Sequence, residues 1–230
     1  TTQASSDRLR WACLVPSSMP DEAINQMRWS KEHGACAVFL RPMEGEKWVT
    51  DPAFYPILAE AEALNLAIAI HIANANPANV SMYDNLAAGG PTKAWGIFRV
   101  PTVQSCMFLI MSEIPKLFPK LRWGFIESAA QWMPWVHNES VRRMETLGLA
   151  VPDNVFESAN AYITCQSDDD LPWVLKYAGE NSLMIGTDYG HSDPSSDIDS
   201  INFIRERDDL AEDTKARILY HNPARLYGLD

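Results

Sequence analysis

Ionisable side chains follow three apolar runs of the sequence, at the point where each run ends. His71 follows LAIAI, Glu127 follows RWGFI and Asp188 follows MIGT. If these runs are parallel strands, their ends meet at one edge of a sheet, where α/β enzymes place their working groups. Each group alone fits a hydrogen-bonded structural role. An imidazole and two carboxylates together would each lose solvation, which indicates a shared purpose such as holding a metal ion or transferring a proton.

Six apolar runs predict the strands that position these groups: 9–15, 35–40, 66–72, 121–126, 159–164 and 183–187. Their continuous apolar character is typical of a parallel sheet that is covered on both faces. Amphipathic or capped segments between them predict helices over 21–32, 50–64, 102–117, 131–146, 169–178 and 198–220. Repeated βα units indicate an α/β fold, either a (β/α) barrel or a doubly wound sheet, in a single domain over residues 1–230.

Residues 73–101 fit no element well, because they are rich in asparagine, glycine and proline. A connection of this length inside a compact domain is usually functional or mobile. We therefore predict a lid or binding loop after His71, with a short helix or 3₁₀ turn around 81–87, against the alternative of an excursion without a role.

Composition excludes some partners. The 230 residues carry 19 Lys+Arg against 30 Asp+Glu, a net charge of −11, with no basic run, which argues against nucleic acid and anionic membranes. No apolar stretch of the sequence is as long as a bilayer span requires, and no signal peptide is evident, so we expect a cytoplasmic protein. Four widely spaced cysteines predict buried free thiols rather than disulfides.

Common catalytic motifs are missing from the sequence. It contains no GxSxG elbow, GxxxxGK[ST] loop, GxGxxG turn, HExxH pair or CxxC pair. Serine-hydrolase, P-loop and dinucleotide-dependent chemistry therefore lose most of their support.

Three longer blocks carry a family resemblance. FPKLRWGFIESAAQWMPW at 118–135, MIGTDYGHSD at 184–193 and NPARLYGL at 222–229 together resemble the amidohydrolase-2 family, in its aminocarboxymuconate-semialdehyde-decarboxylase-like branch. The resemblance runs from about residue 9 to the end of the chain. It implies a (β/α)8 TIM-type barrel, of which about six βα units are visible here, and a metal-dependent hydrolase or non-oxidative decarboxylase.

The resemblance also implies roles for individual residues. His71 matches the family's metal-binding histidine, and Asp188 matches the aspartate that ligates the metal and handles a proton. His191 matches the histidine of the same signature, either as a substrate contact or as a hydrogen-bond partner that orients Asp188. The residues predicted as catalytic are thus Asp188, Glu127 and His191, and those predicted as metal ligands are His71, Asp188 and Glu127.

Three departures from the family pattern bear on this prediction. Glu127 stands where most relatives have a histidine, Gly190 stands where proline is usual, and the H-x-H pair of the family's first strand does not occur in the sequence. The chain could be a fragment, a metal-free descendant, or a protein that holds the metal with these residues alone. We expect a divalent ion, zinc first, with manganese as the alternative because the donors are rich in oxygen.

Substrate contacts are predicted at Arg41, Arg99 and Trp132. A planar guanidinium suits a substrate carboxylate, although solvation at the surface is the alternative for both arginines, and core packing is the alternative for Trp132.

The predicted function is hydrolysis or decarboxylation of a small carboxylated, cyclic or unsaturated substrate. The alternative is a truncated or degenerate barrel without metal catalysis that binds a ligand or partner. Because an exposed sheet edge needs a cover, we expect a homo-oligomer or a partner chain at the missing strands.

Overall fold

A six-stranded parallel sheet forms the centre of the computed structural model, which describes residues 9–72, 76–84, 90–191 and 196–229. Its strands are β1 Trp11–Leu14, β2 Ala35–Leu40, β5 Ala67–His71, β6 Trp123–Ile126, β7 Ala161–Cys165 and β8 Leu183–Ile185. A small antiparallel hairpin, β3 Met43–Glu44 with β4 Lys47–Trp48, follows β2 and was not predicted. All six predicted strands of the main sheet are confirmed.

Strand order decides between the two predicted α/β architectures. The strands lie in the order β1-β2-β5-β6-β7-β8, each parallel to the next. Right-handed crossovers between neighbours in chain order place the helices on one face, which is the topology of a (β/α) barrel. In the described ranges β1 and β8 each pair with a single strand, so the sheet is an arc of such a barrel.

Helices connect the strands. They are α1 Pro20–Glu32, α2 Tyr55–Ala63 after a 3₁₀ turn at Pro52–Phe54, α3 Pro77–Ser81, α4 Gly90–Ala94, α5 Val100–Met111, α6 Ile114–Leu117, α7 Met133–Thr146, α8 Val155–Ser158, α9 Leu171–Ala178, α10 Ser200–Glu206, α11 Glu212–Ala216 and α12 Asn222–Tyr227. π-Helical turns at Trp95–Arg99 and Arg217–His221 join α4 to α5 and α11 to α12.

The two faces of the sheet have different cores. Toward the helices, large side chains such as Ile68, Trp123 and Phe125 are buried in the main core. On the concave face a small cluster is built from Ala37, Ala67, Ala69, Met184 and Leu226. Because the strand residues of this cluster are mostly alanine, Leu226 of α12 can pack directly against the sheet.

Asn222, the first residue of α12, connects this helix to the backbone around the start of β8. Its buried side-chain amide donates to the carbonyls of Glu180 (2.8 Å) and Leu183 (2.7 Å). We expect Asn222→Ala to lower the free energy of unfolding by about 2 kcal/mol, because the carbonyls of Glu180 and Leu183 lose their donor and the buried Asn222 side chain leaves a gap. Urea denaturation checks this, with Asn202→Ala on the exposed face of α10 as a control that should change stability by less than about 0.5 kcal/mol. Equal free energies of unfolding of the two variants would contradict the stabilising role of the Asn222 hydrogen bonds.

Two helix predictions were wrong in extent. The segment 90–101, predicted as part of a loop, is helical and continues into α5. Its prolines indicate a loop, but Pro101 lies at the start of α5 directly after a π-helical turn, where the missing amide is tolerated. The predicted helix 198–220 is divided at 207–211, between α10 and α11. Residues 73–75 and 85–89 of the predicted binding loop lie outside the described residues, whereas α3 supplies a short helix close to its predicted place.

One helical stretch, Thr92–Met111, is long and apolar enough to cross a membrane by length and composition, and half of it is buried inside the protein. The sequence prediction overlooked it because Pro101 interrupts the apolar pattern. Its packing against α7 is that of a core helix. All four cysteines are free and buried, as predicted.

Candidate active site at the carboxyl ends of the strands

His71 is the last residue of β5 and is oriented by its own backbone. Its Nδ1 lies 2.7 Å from the carbonyl oxygen of Ile72. A carbonyl can only accept, so Nδ1 carries a proton and Nε2 is the atom presented to the site. The ring also packs against Phe39, with 5.0 Å between ring centroids. This arrangement is the one that prepares a histidine for metal binding through Nε2.

Glu127 directly follows β6 and reaches His71. Its Oε2 lies 2.8 Å from His71 Nε2, and its side chain is only 7% exposed. The contact is an ion pair that is poorly aligned for a hydrogen bond, and in the described part of the chain this buried Oε2 has no well-aligned donor. A buried carboxylate oxygen of this kind is costly unless a cation, such as the His71 imidazolium or a metal ion, is nearby.

The pKa of His71 reflects both neighbours. Burial, the largest single influence, lowers the pKa, but the contact with Glu127, the hydrogen bond to Ile72 and the charges of Glu127 and Asp188 together raise it above its ordinary value. The metal-free site therefore favours an imidazolium paired with a carboxylate.

This raised pKa predicts a pH dependence of stability in the metal-free chain. A folded-state pKa above the unfolded value of about 6.5 means that the pair stabilises fully below that pH, and that this contribution is lost as the pH rises through the folded pKa. Urea unfolding in EDTA should show the stability difference between wild type and His71→Gln shrinking from pH 5.5 to 8.5. A difference that stays constant or grows would contradict the pairing.

Asp188 and His191 lie in the turn that follows β8. His191 Nδ1 is 3.0 Å from Asp188 Oδ1 and 3.9 Å from Glu127 Oε1. The backbone N–H of His191 donates to the Asp188 carbonyl at 3.2 Å. Gly190 in the same turn has φ +97°, which proline cannot adopt. The glycine that departs from the family pattern is thus required by this conformation of the turn.

The structure brings all four predicted metal and catalytic residues together. Ligand atoms of Glu127, Asp188 and His191 lie within 4.8 Å of one another, and His71 contacts Glu127 from the other side. The residues around the resulting cleft of about 70 Å³ are His71, Ile126, Glu127, Thr164, Cys165, Gln166, Gly186 and Asp188. Two imidazoles and two carboxylates are a donor set that fits a divalent ion such as zinc or manganese.

The three predicted substrate-binding residues do not line this cleft. Arg41 forms a two-bond pair with Glu44 of the hairpin, at 3.0 and 2.5 Å. Arg99 is half-buried in the π-helical turn before α5. Trp132 donates from Nε1 to the carbonyl of Ser128 (3.2 Å) and packs against Phe156. Their role in substrate binding stays a prediction.

Two residues at the site were missed by the sequence reasoning. Thr164 lines the cleft from β7, and its Oγ1 accepts the amide N–H of Glu127 at 2.7 Å. Asp169, predicted only as the first residue of the helix over 169–178, is buried and accepts the amides of Ala130 and Gln166. The cap of that helix is Asp170, which accepts the amide of Trp173. Asp169 differs from Asp168 and Asp170 only in being buried, and the sequence alone does not show which of the three is buried.

The fold defines a class, the (β/α) barrels, and the cluster lies at the carboxyl ends of the strands, where enzymes of this class place their working groups. Within it, the chain belongs to the amidohydrolase family, because the family model described as Amidohydrolase, of the amidohydrolase-2 type, matches residues 1–229. No curated protein matches the chain in sequence.

Solved structures share the fold at low sequence identity. An amidohydrolase from Mycobacterium avium subsp. paratuberculosis K-10 is 19% identical with a TM-score of 0.78, covering 94% of this chain and 58% of that chain. The 5-carboxyvanillate decarboxylase LigW from Sphingomonas paucimobilis is 19% identical with a TM-score of 0.75, covering 99% and 69%. A dihydroxybenzoic acid decarboxylase from Polaromonas sp. JS666, with bound manganese and the inhibitor 2-nitroresorcinol, is 18% identical with a TM-score of 0.74, covering 99% and 71%. This chain therefore spans between 58% and 71% of the length of these three proteins.

Proposed function

We propose that this chain carries the metal-binding and proton-transferring centre of a non-oxidative decarboxylase that acts on a small carboxylated, unsaturated ring. The observation that carries the proposal is the cluster of His71, Glu127, Asp188 and His191, in which the buried Oε2 of Glu127 faces His71 and has no well-aligned hydrogen-bond donor among the described residues. Two of the compared structures are decarboxylases of hydroxylated aromatic acids, which supports this substrate class.

His71, Glu127 and Asp188 are the proposed ligands. His71 offers Nε2 because Nδ1 is bound to the Ile72 carbonyl, and Glu127 offers Oε2, which lies 2.8 Å from that Nε2. When bound, a divalent ion supplies Lewis-acid charge to the substrate oxygens. We propose manganese or zinc; the manganese-containing neighbour and the two carboxylate ligands support the first, and the imidazole of His71 suits the second.

Asp188 and His191 are proposed to move the proton. In the reaction the ring carbon that bears the carboxylate gains a proton from Asp188, its bond to the carboxylate breaks, that electron pair restores the ring, and CO₂ leaves. His191 is 53% exposed and 3.0 Å from Asp188, so it can return a proton from solvent to Asp188. Glu127 is less suited to exchange with solvent because it is buried against His71.

The proposal is tested by incubating the full chain with Mn²⁺ and either 2,6-dihydroxybenzoate or 5-carboxyvanillate and measuring CO₂ release. Metal-dependent release that disappears with EDTA is the expected result. Turnover of an ester or amide without release of CO₂ from either acid would replace decarboxylation by the hydrolysis that the family also contains. No turnover by a chain that has taken up metal would contradict the enzymatic proposal.

A second candidate function rests on the open arc of the sheet. Because β1 and β8 each have a single neighbour in the described residues, and the chain spans only part of its structural relatives, it could be a barrel portion that another chain completes. In this case a second copy or a partner covers the edges, and metal binding is absent. Light scattering and metal content separate the two: a metal-free oligomer favours this candidate, whereas a metal-containing chain favours the decarboxylase.

A further inference from the structure

Backbone strain in the described residues is concentrated beside the candidate site. Five non-glycine residues in the described ranges have positive φ, and three of these are two asparagines and Asp188 (φ 49°), which tolerate that region. The other two are Glu127 (φ 65°) and Ala129 (φ 58°). A left-handed conformation costs a residue with a Cβ about 1–2 kcal/mol, so the surrounding structure must hold this backbone in place.

Thr164 holds the first strained residue. The backbone pairing of β6 with β7 ends at Phe125 and Ile163, just before Glu127 leaves the sheet. Beyond that point the hydroxyl of Thr164 takes the place of backbone hydrogen bonds between the two strands. Its Oγ1 accepts the Glu127 amide at 2.7 Å and donates to the Phe125 carbonyl at 3.2 Å. The Glu127 amide, which the left-handed turn directs away from the regular ladder, is thereby satisfied.

Asp169 holds the other end of the same turn. Its Oδ2 accepts the amide of Ala130 at 2.9 Å and the amide of Gln166 at 2.8 Å, so one oxygen joins the loop after β6 to the loop after β7. The residue is 3% exposed. Burial of this carboxylate is unfavourable and raises the pKa of Asp169. The buried Asp169 carboxylate is therefore better explained by the two backbone amides that it holds in position than by a contribution to the stability of the fold.

We propose, on the basis of the function proposed above, that Thr164 and Asp169 are positioning residues that hold the Glu127–Ala130 turn so that the Glu127 carboxylate meets His71 and the metal. Two fixed amides, one at each end of the turn, leave the Glu127 side chain few alternatives to the contact 2.8 Å from His71 Nε2. If the Thr164 hydroxyl is removed, the Glu127 amide loses its acceptor and the turn can relax away from the left-handed region. Outer hydrogen-bond partners of metal ligands typically contribute a factor of about 10–100 to metal affinity.

The test compares Thr164→Val, which keeps the shape but removes the hydroxyl, with Thr164→Ser, which keeps the hydroxyl. The matched control is Thr102→Val, because Thr102 is also buried and its hydroxyl donates to the Phe98 carbonyl in the π-helical turn that leads into α5. Calorimetric titration of the full chain with Mn²⁺ should show affinity lowered about 10–100-fold in Thr164→Val. The Mn²⁺ affinity of Thr164→Ser and of Thr102→Val should stay within about threefold of the wild-type affinity, because both variants keep the hydrogen bond to the Glu127 amide. Asp169→Asn, which can keep one oxygen acceptor, should bind Mn²⁺ more tightly than Asp169→Ala.

A second readout does not depend on metal. Amide hydrogen exchange of the metal-free chain, followed by NMR, should accelerate about tenfold at Glu127 in Thr164→Val, which corresponds to the loss of one hydrogen bond. The rest of the sheet should stay protected, and Thr102→Val should leave the Glu127 amide unchanged. Wild-type Mn²⁺ affinity or unchanged exchange at Glu127 in Thr164→Val overturns the inference. If the wild-type chain itself binds no metal, the proposed function fails, and the exchange result still decides the role of Thr164.

Discussion

Asp188→Asn is expected to abolish CO₂ release while the fold remains intact. Asparagine has the same shape and accepts a left-handed backbone at least as well as aspartate, so the turn with φ 49° at this position is preserved. The side chain loses its negative charge and its capacity to carry a proton. Since positioned acid–base groups contribute about 10²–10⁴-fold, we expect kcat to fall by about 10³-fold.

The control for Asp188→Asn is Asp199→Asn, which removes one negative charge from the residue just before α10. Circular dichroism and urea unfolding should show wild-type structure in both variants, and only the Asp188 variant should lose activity. An Asp188→Asn variant that keeps more than about a tenth of wild-type kcat, well above what loss of an acid–base group allows, would remove Asp188 from proton transfer.

Glu127→Gln is expected to remove most of the metal affinity. Glutamine keeps the size of the side chain but brings a neutral amide where a cation needs a carboxylate, 2.8 Å from His71 Nε2. We expect the dissociation constant of Mn²⁺ to rise at least about 100-fold, because an anionic ligand is lost from a buried position.

Thermodynamic linkage makes this prediction measurable without a substrate. At a Mn²⁺ concentration 100 times the wild-type Kd, metal binding should stabilise the wild-type chain by about 2.7 kcal/mol. With affinity 100-fold weaker, the same concentration stabilises Glu127→Gln by only about 0.4 kcal/mol. Glu113→Gln, an exposed acid before α6, is the control and should keep the full stabilisation. Equal stabilisation of Glu127→Gln and wild type would show that Glu127 is not a ligand.

The sequence predicted the sheet well because each strand is a short apolar run with polar residues at its end. The same signal brought His71, Glu127 and Asp188 together, since parallel strands in neighbouring positions end at one edge. The predicted helix began only at residue 102 and missed 90–101, because Pro101 is typical of a loop, whereas the structure accommodates it at the start of α5 after a π-helical turn. The division between α10 and α11 carries no glycine or proline to mark it.

The support around Glu127 could not be predicted from residue types. Thr164 and Asp169 act through backbone amides whose positions depend on left-handed φ values at Glu127 and Ala129. Glutamate and alanine are residue types that do not normally indicate a left-handed backbone conformation. The role of Gly190 became clear in the same way, from φ +97° rather than from the sequence.

The most direct test of the account is the metal content of the full chain, measured by elemental mass spectrometry after incubation with excess Mn²⁺ or Zn²⁺ and removal of free ion. The account predicts close to one equivalent of metal in the wild-type chain and in Glu113→Gln, and strong depletion in Glu127→Gln. Absence of metal from the wild-type chain, or full retention by Glu127→Gln, would contradict the claim that His71, Glu127 and Asp188 form a metal centre.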